Sequence, residues 1–278
     1  MKARITRRNL MGKLGATVAG LLALPAAKTA KAAVQNVLVS TTAPNAYNPK
    51  KHKWVMAIDI NKCIGCGLCA EACKKENHVP EGLFFRTWVE RYIITKPAPG
   101  SGEARGEVLV DSPNGGINGY PPATVAQEDI LHSFFVPKLC NLCAHSPCAQ
   151  VCPVGATFDS PDGAVLVDPT YCIGCGFCIQ ACPYGCRFLT PPTPEMKALG
   201  RAGTAGKCTL CYHRITRGLR PACVEVCPTQ ARIFGDLMNP VANDPIQQFY
   251  KDNRVQTLKP HLGTEPRVLY AGMDKEVR

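Results

Sequence analysis

The sequence predicts an α+β fold of small modules held by cysteine chemistry more than by a conventional core. Three observations carry that prediction. The 278 residues contain 17 cysteines, far above ordinary usage. Sixteen of these fall into four runs whose types alternate as A-B-A′-B′, an internal duplication visible in one chain. Short strand-like stretches and a hairpin deliver the chain into the runs.

Taken in order, the chain opens on Thr6-Arg7-Arg8-Asn9-Leu10-Met11, a twin-arginine pattern, then apolar residues 14–27 and small residues ending in Ala30-Lys31-Ala32. That is the layout of a twin-arginine signal peptide over residues 1–32. About 14 apolar residues fall short of the ~20 that span a bilayer, which disfavours an uncleaved anchor. The twin-arginine route exports folded proteins. It therefore suits a thiol-rich chain bound for an oxidising, periplasmic compartment where disulfides would otherwise form. Residues 33–53 are a polar linker with Pro44 and Pro49.

Trp54-Val55-Met56-Ala57-Ile58-Asp59 reads as a short buried strand leading into the first run, Cys63-Ile64-Gly65-Cys66-Gly67-Leu68-Cys69-Ala70-Glu71-Ala72-Cys73. Residues 84–94 alternate like a strand. Residues 96–125 then collect Pro, Gly, Ser and Asn into a long surface excursion with one short strand at 107–110. Such a loop is either a partner contact or a variable connection. The second run, Cys140-x2-Cys143-x4-Cys148-x3-Cys152-Pro153, has a 2-4-3 spacing. A hairpin turns at Asp159-Ser160-Pro161-Asp162-Gly163 and returns through residues 164–167. The third run follows, and the fourth is Cys208-x2-Cys211, an eleven-residue spacer, then Cys223-x3-Cys227-Pro228. Residues 232–237 and 267–271 are further strand candidates, the second within a polar C-terminal tail, 238–278.

The third run states the chemistry most plainly. Cys172-Ile173-Gly174-Cys175-Gly176-Phe177-Cys178-Ile179-Gln180-Ala181-Cys182-Pro183 is C-x2-C-x2-C-x3-C-P, the spacing by which bacterial-type ferredoxins hold a [4Fe–4S] cubane. Three thiolates on a short Gly-containing loop wrap one face of a cubane. The fourth, a helical turn later, points to a different cluster. Pro then stops the helix because it has no N–H to continue it. The first run matches except that Lys74 replaces the Pro, so its helix is expected to run on by about a turn.

Four such runs, a long spacer in the fourth and a twin-arginine signal resemble the four-cluster iron–sulfur subunits of complex iron–sulfur molybdoenzymes. These include periplasmic tetrathionate and polysulfide reductases and related membrane respiratory complexes. The resemblance covers roughly residues 54–237. It implies two ferredoxin-like two-cluster modules, with short β-hairpins and helices around the clusters and one module inserted in the other. The outer module would be 54–135 plus 187–237, from the first and fourth runs, and the inner module 136–186, from the second and third. Carried over by motif position, Cys63, Cys66, Cys69 and Cys227 would hold one cluster, and Cys208, Cys211, Cys223 and Cys73 its neighbour. Cys140, Cys143, Cys148 and Cys182 would hold a third, and Cys172, Cys175, Cys178 and Cys152 the fourth. All sixteen ligand positions are Cys, so four [4Fe–4S] clusters and no catalytic residues are expected.

The implied function is electron relay in an anaerobic respiratory complex, as a non-catalytic subunit of an oxidoreductase. Its partners would be a quinone-interacting membrane subunit and a catalytic subunit, with or without molybdopterin, or a cytochrome. A free soluble multi-cluster ferredoxin is the alternative, and a zinc-stapled or disulfide-rich exported domain a weaker third. Zinc gives no reason for the 2-2-3-Pro spacing. The formal charge of +11 does not argue for nucleic acid. Without residues 1–32 it falls to +4, and four thiolate-bound clusters at about −2 each bring it to roughly −4. No stretch after the signal reaches 18 apolar residues, so no membrane span is expected there. There is no C-x-x-C-H haem motif, no G-x-G-x-x-G or phosphate loop, and no nucleophile–base–acid set. Cys186, the seventeenth cysteine, reads as a small buried residue beside a cluster. His145 and His213 recur at equivalent places and read as shared packing. Lys62, Lys138 and Lys207, close before cluster runs, are candidates for tuning potential by charge.

Overall fold

The computed structural model describes residues 47–82, 84–240 and 244–277. The expected twin-arginine signal peptide and most of the expected linker lie outside the described residues. Mixed small sheets and short helices make an α+β fold, in which a strand delivers the chain to each cysteine run.

The first strand, β1 (Trp54–Asp59), is buried at all six positions. It is central in a three-stranded sheet, antiparallel to β9 (Arg232–Asp236) and parallel to β10 (Val268–Ala271). Both of its faces are covered, so its sequence is a continuous apolar run instead of an alternation. Trp54, Met56 and Ile58 enter the main core with Phe234 and Tyr270. Val55 and Ala57 pack on Ile246 and Phe249 of the helix Pro245–Asp252. The C-terminal residues are thus part of the core around the first run. The Asp244 carboxylate caps that helix, accepting from the Ile246 N–H at 2.8 Å.

A second sheet is built on β2 (Thr87–Thr95), with β3 (Val108–Asp111) along one side and β4 (Ile130–Leu139) along the other. The first starts three residues later than expected and the second is shifted by one. The ten-residue β4 is a strand that periodicity does not announce. It pairs with β2 from Thr87↔Leu139 to Thr95↔Ile130 and crosses the position 135/136. Pro137 interrupts its pattern, but β4 is an edge strand, where a missing N–H is tolerated. β4 ends directly at Cys140. The hairpin β5 (Thr157–Asp159) and β6 (Val165–Val167) forms where the turn residues place it and leads to the third run. The short pair β7 (Phe188–Leu189) and β8 (Ala205–Gly206) leads to the fourth.

The long excursion folds back on the first run. Gly67 has φ +72°, and a Cβ there would stand 2.0 Å from the Gly116 carbonyl oxygen. The Ser112 and Tyr120 hydroxyls both donate to the Val89 carbonyl, at 2.6 and 2.8 Å. Much of this loop is therefore a structural cover over the first run. Among the described residues no helix is long and apolar enough to cross a membrane.

Candidate functional site

None of the 17 thiols is in a disulfide. Sixteen of them line four separate clefts of 290–330 Å³, four to a cleft. The structure brings Cys63, Cys66, Cys69 and Cys227 to the first cleft. Cys73, Cys208, Cys211 and Cys223 line the second. Cys140, Cys143, Cys148 and Cys182 line the third, and Cys152, Cys172, Cys175 and Cys178 the fourth. In every case the last cysteine of one run faces a cleft built by another. Local geometry explains this. The first three thiols of a C-x2-C-x2-C loop share one concave side, while a helical turn carries the fourth away.

The helices differ in length as the residue after the run dictates. α1 (Leu68–Asn77) continues for ten residues through Lys74. Its counterpart Phe177–Gln180 has four residues before Pro183. The extra turn brings Asn77 to the second cleft, where its Nδ2 lies 3.6 Å from Cys73 Sγ and 3.7 Å from Cys211 Sγ.

Exposure differs between the clefts. Cys66 of the first cleft and Cys175 of the fourth are exposed, whereas all four thiols of the second and three of the third are buried. Burial pushes the Cys63 thiol up to about 11, and those of Cys143 and Cys223 to about 12. Iron must therefore displace protons to bind them. Two thiols go the other way: Cys182 is held down to about 5 by hydrogen bonding from Cys186 and from backbone amides, and at Cys152 burial is outweighed by backbone amides, which lower it. Cys186 Sγ also lies 3.1 Å from the Leu139 carbonyl and 3.3 Å from that of Tyr184, and the residue is 3% exposed. It packs in the core beside the third cleft.

These donor sets fit an iron–sulfur cluster. Four unpaired thiols converge on each cleft, and backbone amides already reach toward sulfur. Ala205 N lies 3.3 Å from Cys172 Sγ, Thr157 N 3.4 Å from Cys152 Sγ, and Leu210 N 3.4 Å from Cys208 Sγ. Among the described residues no three His, Cys, Asp or Glu side chains form a single-ion site. The thiols face a volume, as a polynuclear centre with one thiolate per iron requires.

The candidate tuning lysines separate. Lys62 is exposed and pairs with Asp59 at 3.3 Å. Lys138 is buried against Glu90 at 3.5 Å. Lys207 is 1% exposed and donates to the carbonyls of Val165 and Cys208. His145 and His213 face carboxylates, Glu265 at 3.8 Å and Glu76 at 2.7 Å. Sequence reasoning missed three buried groups. Arg187 Nη2 lies 2.9 Å from Cys148 Sγ. Arg232, 1% exposed, lines the first cleft, and its Nε and Nη1 have no protein partner. Asn141 is buried on the third cleft with both amide atoms unpartnered. A signal for the arginines exists: each stands five residues after the last cysteine of its run, Cys182 and Cys227.

Comparison with known proteins agrees with this chemistry. Residues 131–237 match the 4Fe-4S dicluster domain family and residues 54–75 a 4Fe-4S binding domain. The chain is 38% identical over 224 residues to a tetrathionate reductase subunit of Salmonella typhimurium, covering 81% of this chain and 74% of that protein. It is 40% identical over 221 residues to the subunit of the same name from Archaeoglobus fulgidus, covering 80% and 83%. It is 37% identical over 218 residues to protein NrfC of Escherichia coli, covering 78% and 79%. By its cysteine runs, its matched domains and these relatives, the chain belongs to the 4Fe–4S electron-transfer subunits of respiratory reductase complexes.

Proposed function

We propose that this subunit carries electrons along a row of four [4Fe–4S] clusters, one at each cysteine quartet, between a quinone-linked membrane partner and a catalytic or cytochrome partner. One observation carries the reading: sixteen thiols divide into four fours, each around its own cleft. Each cluster would supply a one-electron centre whose potential follows hydrogen bonds and solvent at its sulfurs. The chain's own part is to hold the thiolates, shield the middle of the row from water and leave its ends accessible. The wholly buried quartet at the second cleft, three buried thiols at the third, and exposed Cys66 and Cys175 at the other two support that division. Relatives named as subunits of reductases support assembly with partner subunits over the free ferredoxin alternative. The twin-arginine pattern supports export to the periplasm and work in anaerobic respiration.

The test is iron and labile-sulfide counting with an EPR redox titration on anaerobically purified protein. About 16 iron per chain with interacting reduced signals is the expected result. Substantially less iron, with zinc or intact disulfides in its place, would exclude the four-cluster row.

A further inference from the structure

Three buried cations occupy equivalent places along the row of clefts. Arg232 lines the first cleft and donates from Nη2 to the Thr87 hydroxyl at 2.7 Å, and Thr87 lines the second. Lys207 donates to the carbonyl of Cys208, whose thiol lines the second cleft, and to the carbonyl of Val165, which lines the third. Arg187 lines the third cleft, where its Nη2 lies 2.9 Å from Cys148 Sγ. Its Nη1 donates at 3.2 Å to the hydroxyl of Thr157, which lines the fourth. Each cation therefore links two neighbouring clefts, Arg232 and Arg187 by lining one and bonding a threonine of the next, Lys207 through the carbonyls of one residue from each. Arg232 and Lys207 are 1% exposed and Arg187 6%. The two arginines use the same device, a guanidinium anchored by a threonine across the junction, each five residues after the last cysteine of its run.

Burial without a paired carboxylate is costly for a cation unless other negative charge faces it. Cluster-bound thiolates would supply it. Arg187 already lies against Cys148 Sγ at 2.9 Å, and Arg232 lines the cleft of Cys63, Cys66, Cys69 and Cys227. The orphaned Nε and Nη1 of Arg232 are donors with no acceptor in the protein.

We propose that Arg232, Lys207 and Arg187 are the potential-setting residues of the row, one at each junction, each raising the reduction potential of the clusters on both sides. This rests on the four-cluster reading above. When a cluster gains one electron from a reductant its negative charge rises by one, and a fixed cation beside it favours that reduced form. Placed at every junction, the cations also offset repulsion between electrons on adjacent clusters. The free N–H groups of Arg232 would donate to sulfur at the first cluster, as Arg187 does to Cys148.

The experiment is an EPR-monitored redox titration with dithionite on the whole anaerobic protein. It compares wild type with Arg232→Gln, Arg187→Gln and Lys207→Gln, and with the charge-keeping Arg232→Lys and Arg187→Lys. Iron is counted on every sample. Each Gln variant is expected to keep its iron and to raise the oxidised-to-reduced ratio of an adjoining centre at least tenfold at fixed potential. That is a downward shift of about 59 mV for a one-electron couple. Each Lys variant should recover part of the shift, which packing alone would not restore. Thr87→Val and Thr157→Val, which release the anchors but keep the charges, should move the same centres less. Full iron with unmoved potentials in the Gln variants overturns the proposal and leaves the four-cluster reading intact. Low iron in wild type overturns that reading itself. Loss of iron in Arg232→Gln or Arg187→Gln passes the decision to the Lys and Val variants at the same junction, and loss in Lys207→Gln passes it to the charge-keeping Lys207→Arg, whose unmoved potentials are then expected. Loss throughout all three junctions makes the cations assembly elements and also overturns the proposal.

Discussion

The first and third cysteine runs share C-I-G-C-G-x-C-x-x-A-C, yet their surroundings diverge after the last cysteine. In the first, Lys74 lets α1 run to Asn77. In the third, Pro183 closes the helix and the chain turns at once through Tyr184 and Gly185 to Arg187. The consequence is a different group at the neighbouring sulfurs. A neutral amide, Asn77, lies near Cys73 and Cys211, while a guanidinium, Arg187, lies against Cys148. Equal ligand geometry thus comes with unequal electrostatics. The residues that bind iron are set by the run, and the residues that tune it are set by how the chain leaves the run.

The largest effects should come from the run itself. Cys73→Ser and Cys182→Ser remove the equivalent crossing thiols, the proposed fourth ligands, from the second and third clefts. Each is expected to lower iron from about 16 to about 12 per chain. If either variant kept its full iron by metal analysis, the equivalence of the two positions would fail. The next effect is on the exit. Lys74→Pro would remove a backbone donor inside α1 and clash with the preceding turn, costing about 3 kcal/mol. It also strips the Lys74 Nζ bond to the Pro80 carbonyl (2.9 Å) and its contact over the Phe85 ring. For a domain of this size a fall of roughly 6–12 °C in Tm is expected. Pro183→Ala, at a position where the helix has already ended, should move Tm by far less. Equal losses in the two variants would show that helix length is not what separates the runs.

The same contrast shows what could be read in advance. The cysteine runs, β1 and the hairpin at residues 159–163 are local patterns, with ligand spacing, an apolar strand and turn chemistry each confined to about ten residues. Even the added turn of α1 follows from one substitution, Lys74 for Pro. β4 was not legible because its polar outer positions and Pro137 are tolerated only at a sheet edge, and edge position is a property of the assembled sheet. The C-terminal residues read as a polar tail because Ile246 and Phe249 acquire meaning only against Val55 and Ala57, nearly two hundred residues earlier. Arg187 and Arg232 were overlooked for a related reason: arginine is ordinarily an exposed residue. Their burial depends on partners that the fold brings from elsewhere in the chain, Cys148 and Thr157 for Arg187 and Thr87 for Arg232.

A smaller effect tests the amide. Asn77→Leu keeps the bulk of the side chain but removes the donor near Cys73 and Cys211. A hydrogen bond of about 1 kcal/mol corresponds to about 40 mV for one electron. The potential of the centre at the second cleft should fall by that order in an EPR titration, with the centres at the third and fourth clefts unmoved. The same substitution also frees Arg86, whose Nη1 donates to Asn77 Oδ1 at 3.1 Å. Asn77→Asp would reverse the test by placing a carboxylate near the sulfurs, and the fall should then be larger. A rise in potential for either variant would contradict the donor role.

The smallest effect concerns the other residue that the added turn supplies. Glu76 accepts from His213 Nε2 at 2.7 Å and from Arg214 Nη1 at 2.9 Å, tying α1 to the helix Tyr212–Ile215 that follows Cys211. The hydrogen bond from His213 and the charge of Arg214 hold its carboxyl below the usual glutamate range. A depressed folded value means that Glu76 stabilises the fold fully above the unfolded glutamate pKa. That contribution is lost as pH falls through the folded value. Both sides of the pair are partly exposed, with Glu76 at 25% and His213 at 45%, so solvent and salt screen the interaction. Glu76→Gln should therefore cost less than about 1 kcal/mol at neutral pH, measured by denaturant unfolding of the loaded protein. The deficit should shrink in high salt, and it should not widen as pH is lowered. A deficit that grew in salt or acid would mean that Glu76 acts through packing, and the added turn would then matter only for bringing Asn77 to the sulfurs.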